Sequence, residues 1–177
     1  MVRKNIKKEI KEFYFTYPTE KLRARALERR LKLPFPSVLR YLKELVSEDF
    51  LLEEVIGGVK FYTANRTSRR FLLEKRLYNV KILFECGLVD FLIDEYSNPT
   101  IVLFGSYSKG EDIESSDIDI YVETRSKRIF SLKKFEQKLH RSIQLFKYVS
   151  FADIKNPMLK NSIINGVVLN GYLEVFK

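Results

Sequence analysis

The run Phe104-Gly105-Ser106-Tyr107-Ser108-Lys109-Gly110-Glu111-Asp112-Ile113-Glu114-Ser115-Ser116-Asp117-Ile118-Asp119-Ile120-Tyr121-Val122 constrains the fold of this chain more than any other. It leaves an apolar segment, Ile101 to Phe104, that reads as a strand, and it runs into a second one, Ile118 to Val122. Between them Gly105-Ser106 opens a short helical turn and Gly110 breaks it. Residues i and i+2 of a strand share a face, so Asp117 and Asp119 project together while Ile118 and Ile120 enter a core. Neighbouring carboxylates repel, and without a cation or a basic partner one of them is expected to hold a proton. Magnesium (or manganese) relieves that repulsion, because such ions favour carboxylate and phosphate oxygens; magnesium also keeps several waters. Backbone N–H groups at Gly105 and Ser106, opening a helix, are expected to cradle phosphates, and Gly105 lets the backbone approach them closely.

The order Gly-Ser, later Gly, then Ser-Asp-x-Asp between two apolar strands resembles the signature of the DNA polymerase β-like nucleotidyltransferase superfamily. Ser106 and Asp117 stand eleven residues apart, which fits that pattern. The resemblance implies transfer of a nucleoside monophosphate from a nucleoside triphosphate, with ATP the expected one, to a hydroxyl of a protein or nucleic acid. Asp117 and Asp119 would be the catalytic and metal-holding residues, and Gly105, Ser106, Lys109, Gly110 and Ser116 the nucleotide-binding ones. Superfamily members carry a third carboxylate on a later strand. In Ser142-Ile143-Gln144-Leu145-Phe146 that position is Gln144, which carries no charge; Asp153, in Phe151-Ala152-Asp153-Ile154, is the alternative donor. Counting back from Asn156-Pro157-Met158-Leu159 and the later Gly166 favours Gln144. The small size and fused N-terminal module look most like the minimal nucleotidyltransferases of archaea and bacteria. That likeness implies the antitoxin side of a toxin–antitoxin pair with a HEPN-type protein partner.

The N-terminal part has a different texture. A helix is expected over Glu20 to Leu31, with Leu22, Ala26, Leu27 and Leu31 inward and Lys21, Arg23, Arg25, Arg29 and Arg30 outward. Leu33-Pro34-Phe35-Pro36 breaks it. A second helix is expected over Ser37 to Glu48, then a hairpin turning at Gly57-Gly58. Two helices, a short turn and a hairpin resemble a winged helix-turn-helix domain. The resemblance implies DNA binding, with Ser37, Arg40 and Lys43 facing the groove and Lys60 on the wing. The competing reading makes this module a protein-contact domain, and the whole chain a DNA-binding regulator whose nucleotidyltransferase part only senses nucleotide.

Together these readings predict an α+β chain: a winged helix-turn-helix domain at 1–65, a helical connector at 66–98, and at 99–177 a nucleotidyltransferase-fold mixed sheet flanked by helices. Composition agrees with two small folded modules: 177 residues, 45% hydrophobic, and only 7 Gly and 5 Pro. The formal charge is +9, which favours polyanionic partners. Residues 1–65 hold 14 basic against 9 acidic side chains, the densest surplus. Cys86 is the one cysteine, so disulfides within the chain and cysteine zinc clusters are excluded, and a buried inert thiol is expected. His140 is the one histidine and reads as structural at a helix end. No apolar leader follows Met1-Val2-Arg3-Lys4 and no apolar run reaches membrane-spanning length, so a cytoplasmic protein with no membrane partner is expected. Just two glutamines suggest a thermophile. A homodimer stays open.

Overall fold

The computed structural model describes residues 5–176, so the start Met1-Val2-Arg3-Lys4 lies outside the described residues. The chain divides into two compact units, residues 1–75 and 76–177. The expected connector at 66–98 is therefore shared between them, and helix α4 (Arg69–Glu85) runs across the boundary.

Unit 1 begins with helix α1 (Ile6–Thr16), started by the Asn5 side chain accepting from the Lys8 N–H at 3.1 Å. Helix α2 (Ala24–Leu31) starts later than the periodicity predicts. Residues before it are extended because Leu22 exchanges both backbone hydrogen bonds with Tyr62. Helix α3 (Phe35–Ser47) follows, with Pro34 as N-cap and Pro36 in its first turn, where proline lacks only an N–H that has no helical partner. Its buried residues Val38, Leu42 and Leu45 repeat at helical spacing. Strands β1 (Leu51–Ile56) and β2 (Val59–Ala64) form an antiparallel hairpin. Its turn requires positive φ at Gly57 and Gly58, 56° and 76°. Phe15, Phe50 and Phe71 stack edge to edge at 5.0–5.6 Å in the core of this unit.

Unit 2 holds the rest of α4, then α5 (Leu88–Glu95), β3 (Thr100–Phe104), α6 (Gly105–Lys109), β4 (Ile118–Glu123), α7 (Lys133–Leu139), β5 (Ile143–Tyr148), a 3-10 turn (Phe151–Asp153), α8 (Pro157–Ile164) and β6 (Val167–Asn170). Gly87, with φ 81°, separates α4 from α5. The sheet order is β5-β4-β3-β6, with β4 parallel to β5 and the other pairs antiparallel: a mixed sheet, as expected. The final strand β6 has no counterpart in the sequence reading. Helix α7 starts at Lys133, and Phe130 ahead of it packs its ring on Phe91 and Tyr96.

Both faces of the sheet are covered. Ile101, Leu103, Ile118, Ile120 and Val122 point to one side, against α5 and α7. Val102, Phe104 and Tyr121 point to the other, against the 3-10 turn and Ile163 of α8. This allocation sets the register of β4. A one-residue slip would take Ile118 and Ile120 out of the layer they fill and would turn Asp119 into it, at a cost of several kcal/mol. Cys86 is half-buried rather than buried; its Sγ donates to the Leu83 carbonyl at 3.4 Å, and burial pushes the thiol pKa up, so the inert character holds.

Helix α8 is fastened to β3 at Gly166. A Cβ there would lie 2.5 Å from the Leu103 carbonyl oxygen and 2.8 Å from Val102 Cγ1. A backbone oxygen inside a sheet has nowhere to go, so Gly166→Ala is expected to destabilise the protein by about 1–3 kcal/mol in chemical denaturation.

Candidate active site

The site grows from the alternation in β4. Ile118 and Ile120 are buried, whereas Asp119 is half-buried and Asp117, just before the strand, is exposed. The two carboxylates are two residues apart on extended chain and share the sheet face that carries Tyr121. Burial, and behind it the charge of Asp117, raises the pKa of Asp119 above the ordinary carboxylate range. Bringing a second negative charge beside a half-buried one costs free energy, and the fold accepts that cost here.

Gly105 stands directly against this carboxylate. It has φ 73°, and a Cβ at that position would fall on the Asp119 carboxylate group. The glycine is thus required twice, by conformation and by space. Gly105 and Ser106 open α6, and the Ser108 hydroxyl donates back to the Gly105 carbonyl at 2.8 Å. Gly110, predicted among the nucleotide contacts, is buried and ends α6 at φ 76°, donating to the carbonyls of Ser106 and Tyr107. Its evident role is the turn. Ser116 likewise braces the loop, its hydroxyl accepting from the Ile113 N–H at 3.0 Å. Lys109, the last residue of α6, is exposed and has no carboxylate within ion-pair distance among the described residues.

Three residues that the sequence reading passed over hold this loop in place. Asp112 is 1% exposed; its Oδ1 accepts from Asn79 Nδ2 of α4 at 2.8 Å and its Oδ2 lies 3.4 Å from Arg141 Nη2. Asn79 also donates to the Tyr107 carbonyl at 2.9 Å. Helix α4, the end of α6 and the start of β5 thereby meet on one carboxylate. In sequence Asp112 is one of several acidic residues in a polar loop, and nothing local marks partners 29 and 33 residues away.

In the parallel pairing of β4 with β5, Gln144, expected at the third acidic position, stands opposite Asp119 and is exposed. The alternative donor, Asp153, is corrected by the structure. Its carboxylate accepts from the Ser150 N–H at 3.0 Å in a capping box that starts the 3-10 turn, so it serves that turn. Strand β5, Ile143–Tyr148, contains no acidic residue. Among the described residues no three His, Cys, Asp or Glu side chains gather into a metal-holding group. Two carboxylates with room left for phosphate oxygens and water suit a magnesium or manganese ion, while an all-protein cage does not exist. His140 is the left-handed cap of α7, at φ 53°, and stands apart from the aspartates in sequence as a helix end.

A cleft of about 430 Å³ lies between Gly105 and Lys109 on one side and Met158, Asn161, Ser162 and Asn165 of α8 on the other. Because α8 packs on the face shared by Phe104 and Tyr121, this cleft opens on the Asp119 side of the sheet.

Comparison with known proteins follows the same residues. The sequence profile described as "Polymerase beta, Nucleotidyltransferase" matches residues 90–172. A relative from Methanocaldococcus jannaschii, named "Putative protein adenylyltransferase", is 37% identical over 79 residues, covering 41% of this chain and 76% of that protein. The chain belongs to the polymerase β nucleotidyltransferase family. Its function is accordingly of the nucleotidyltransferase type, a transferase, carried in unit 2. No solved structure matches the chain. No helix among the described residues is long and apolar enough to cross a membrane.

The predicted DNA contacts lie in unit 1 and are brought together only in part. Arg40 and Lys43 are exposed on α3, Ser37 is half-buried in its first turn, and Lys60 sits on β2. Arg40 Nε lies 3.7 Å from Glu44, and Lys60 donates to Glu53 at 2.6 Å.

Two outcomes test this site. In the metal-free protein, carboxyl NMR should find Asp119 titrating above the usual range; Asp117→Asn should move it down but leave it raised, since burial is the larger cause. The sign for stability follows: the folded state binds the proton more tightly than the unfolded chain, so stability rises as pH falls through the Asp119 pKa, and Asp119→Asn should raise the melting temperature near neutral pH. Separately, Asn79→Ala removes the amide that donates to both the Asp112 carboxylate and the Tyr107 carbonyl and is expected to cost about 1–3 kcal/mol in chemical denaturation.

Proposed function

We propose that this nucleotidyltransferase moves a nucleoside monophosphate, with ATP the expected donor, onto a hydroxyl of a protein, and that it does so with magnesium or manganese held by Asp117 and Asp119. The observation that carries this reading is the Asp119 carboxylate, half-buried, beside Asp117 and pressed against Gly105. The name of the Methanocaldococcus jannaschii relative supports a protein acceptor and an adenylyl group. The metal would neutralise charge on the phosphates and on the paired aspartates. The Gly105-Ser106 turn offers backbone N–H groups to phosphate oxygens, Ser106 offers a hydroxyl, and Lys109 offers an ammonium that has no carboxylate partner of its own. In the transfer, the acceptor oxygen bonds to the α-phosphorus, the bond to the β-phosphate oxygen breaks and pyrophosphate departs, while the acceptor loses its proton.

That last proton is the weak point of the site. Gln144 faces Asp119 across the strand pair and has neither a charge nor a useful proton-accepting group. A carboxylate there would take the proton and share a cation; an amide does neither well. This favours a second reading, in which turnover is attenuated and unit 2 chiefly binds nucleotide. Unit 1, built as helix, bridge, helix, helix and hairpin, supports a winged helix-turn-helix domain that binds DNA through α3 and the wing, with Arg40, Lys43, Ser37 and Lys60 as contacts. Either reading accommodates the antitoxin side of a toxin–antitoxin pair, with a HEPN-type partner supplying the acceptor hydroxyl, a cytoplasmic setting and a dimer.

The decisive assay incubates the protein with each α-labelled nucleoside triphosphate, magnesium or manganese, and candidate acceptors. Label transfer that disappears in Asp117→Asn/Asp119→Asn is expected for the enzyme. Gln144→Asp is expected to raise the transfer rate at least tenfold, as a positioned base contributes about 10²–10⁴-fold. Metal-dependent nucleotide binding without transfer in either the natural chain or Gln144→Asp would select the sensor reading.

A further inference from the structure

In unit 1 the cations of α3 and the wing are largely committed to neighbours. Arg40 lies 3.7 Å from Glu44, Glu44 also takes Lys7 at 3.3 Å, and Lys60 is bound to Glu53. The pKa of Glu53 is lowered, first by the hydrogen bond from Lys60, and Lys43 adds to its electrostatic support. These pairs are exposed and individually weak, yet they place four carboxylates, counting Glu54 and Glu48, on or beside the surface that a groove-reading helix would present.

The opposite balance holds on α2. A cleft of about 410 Å³ lies between the start of α2 and β2, with Leu22, Ala26 and Phe61 as its apolar floor and Lys21, Arg23, Arg25 and Arg29 around it. Lys21 is paired with Glu54 at 2.5 Å and Arg25 with Glu28 at 3.2 Å. Arg23 and Arg29 have no carboxylate within ion-pair distance among the described residues. Arg23 is instead held over the Phe61 ring, 5.1 Å from its centroid, which orders the guanidinium without neutralising it. Arg23 is also the N-cap of α2, and no side chain caps that end; no acidic residue stands in the first turn. The result is a concave site with two uncompensated guanidinium groups, an apolar floor and the positive end of a helix dipole, all of one sign.

We infer that this cleft, rather than the exposed face of α3, is where unit 1 takes the phosphate–sugar backbone of duplex DNA, with Arg23 and Arg29 as the residues that bear the electrostatic contact. The inference rests on the reading of unit 1 as a DNA-binding module. Planar guanidinium forks match phosphate oxygens bidentately, and the apolar floor suits the deoxyribose carbons beside them. Residues of α3 then contribute contacts to bases more than charge.

The experiment measures binding of the full chain to duplex DNA by fluorescence anisotropy over a potassium chloride series, for the natural protein, Arg23→Ala/Arg29→Ala, Arg23→Lys/Arg29→Lys and Arg40→Ala/Lys43→Ala, each checked for folding by circular dichroism. Each neutralised phosphate contributes about −0.9 to the slope of log K against log salt. The alanine pair on α2 is expected to flatten the slope by about 2, equally for unrelated sequences, while the lysine pair keeps most of it and the α3 pair flattens it by less than the α2 pair and weakens binding unequally among sequences. A slope unchanged by the α2 alanines, with the loss appearing instead in the α3 pair, would overturn the cleft while leaving DNA binding intact. Absence of any salt-dependent binding by the natural protein would overturn the DNA reading and the cleft with it.

Discussion

One buried ion pair organises the catalytic unit. Asp112 lies at the start of the long excursion between α6 and β4, and it is almost wholly removed from water with Arg141 and Asn79 as partners. A carboxylate alone in that position would be costly, and the loop sits where Arg141 and Asn79 reach it. Because Asn79 also holds the Tyr107 carbonyl, the same node fixes the end of α6. Ser116, Asp117 and the entry into β4 follow from that anchor, helped by the Ile118 N–H donating to the Ser142 carbonyl at 2.8 Å. Pairs of this kind add little net stability and, here, fix the position of the loop that leads into β4.

Against this rigid frame the site itself is unfavourable by design of the sheet. Asp119 is half-buried, close to a second carboxylate and against a glycine that leaves no atom to spare. Each feature raises the energy of the empty protein and each is relieved by a cation with phosphate oxygens. Cost in the free state and gain in the bound state are two descriptions of the same arrangement. Asp119 and Gly105 both lie within residues 90–172, the span that matches the family.

The departure at Gln144 matters because its place is so well defined. The β4–β5 register puts it across from Asp119, and the nearby Asp153 is spent on a turn. Two of the three acidic positions expected of this family are therefore present. The two units differ in charge, with the densest surplus of basic residues in residues 1–65.

Much of the framework was legible from local rules. Alternation in Ile118-Asp119-Ile120 predicts both the strand and the shared face of the aspartates, and Pro34 and Pro36 mark the start of α3. Local rules failed where a distant partner competes. Helix α2 starts at Ala24, not at Glu20, because Tyr62 claims the backbone of Leu22. The sequence by itself thus determined strands β3 and β4, the glycine turns and the shared face of Asp117 and Asp119, since these follow from periodicity and conformational preference within a few residues. Only the tertiary structure decided that Asp112 is an anchor, that Asp153 is a cap, that Gln144 stands at Asp119, and that Arg23 and Arg29 remain uncompensated. Those roles depend on which groups from remote segments share a desolvated space, and the free energy of a charge is set by that company.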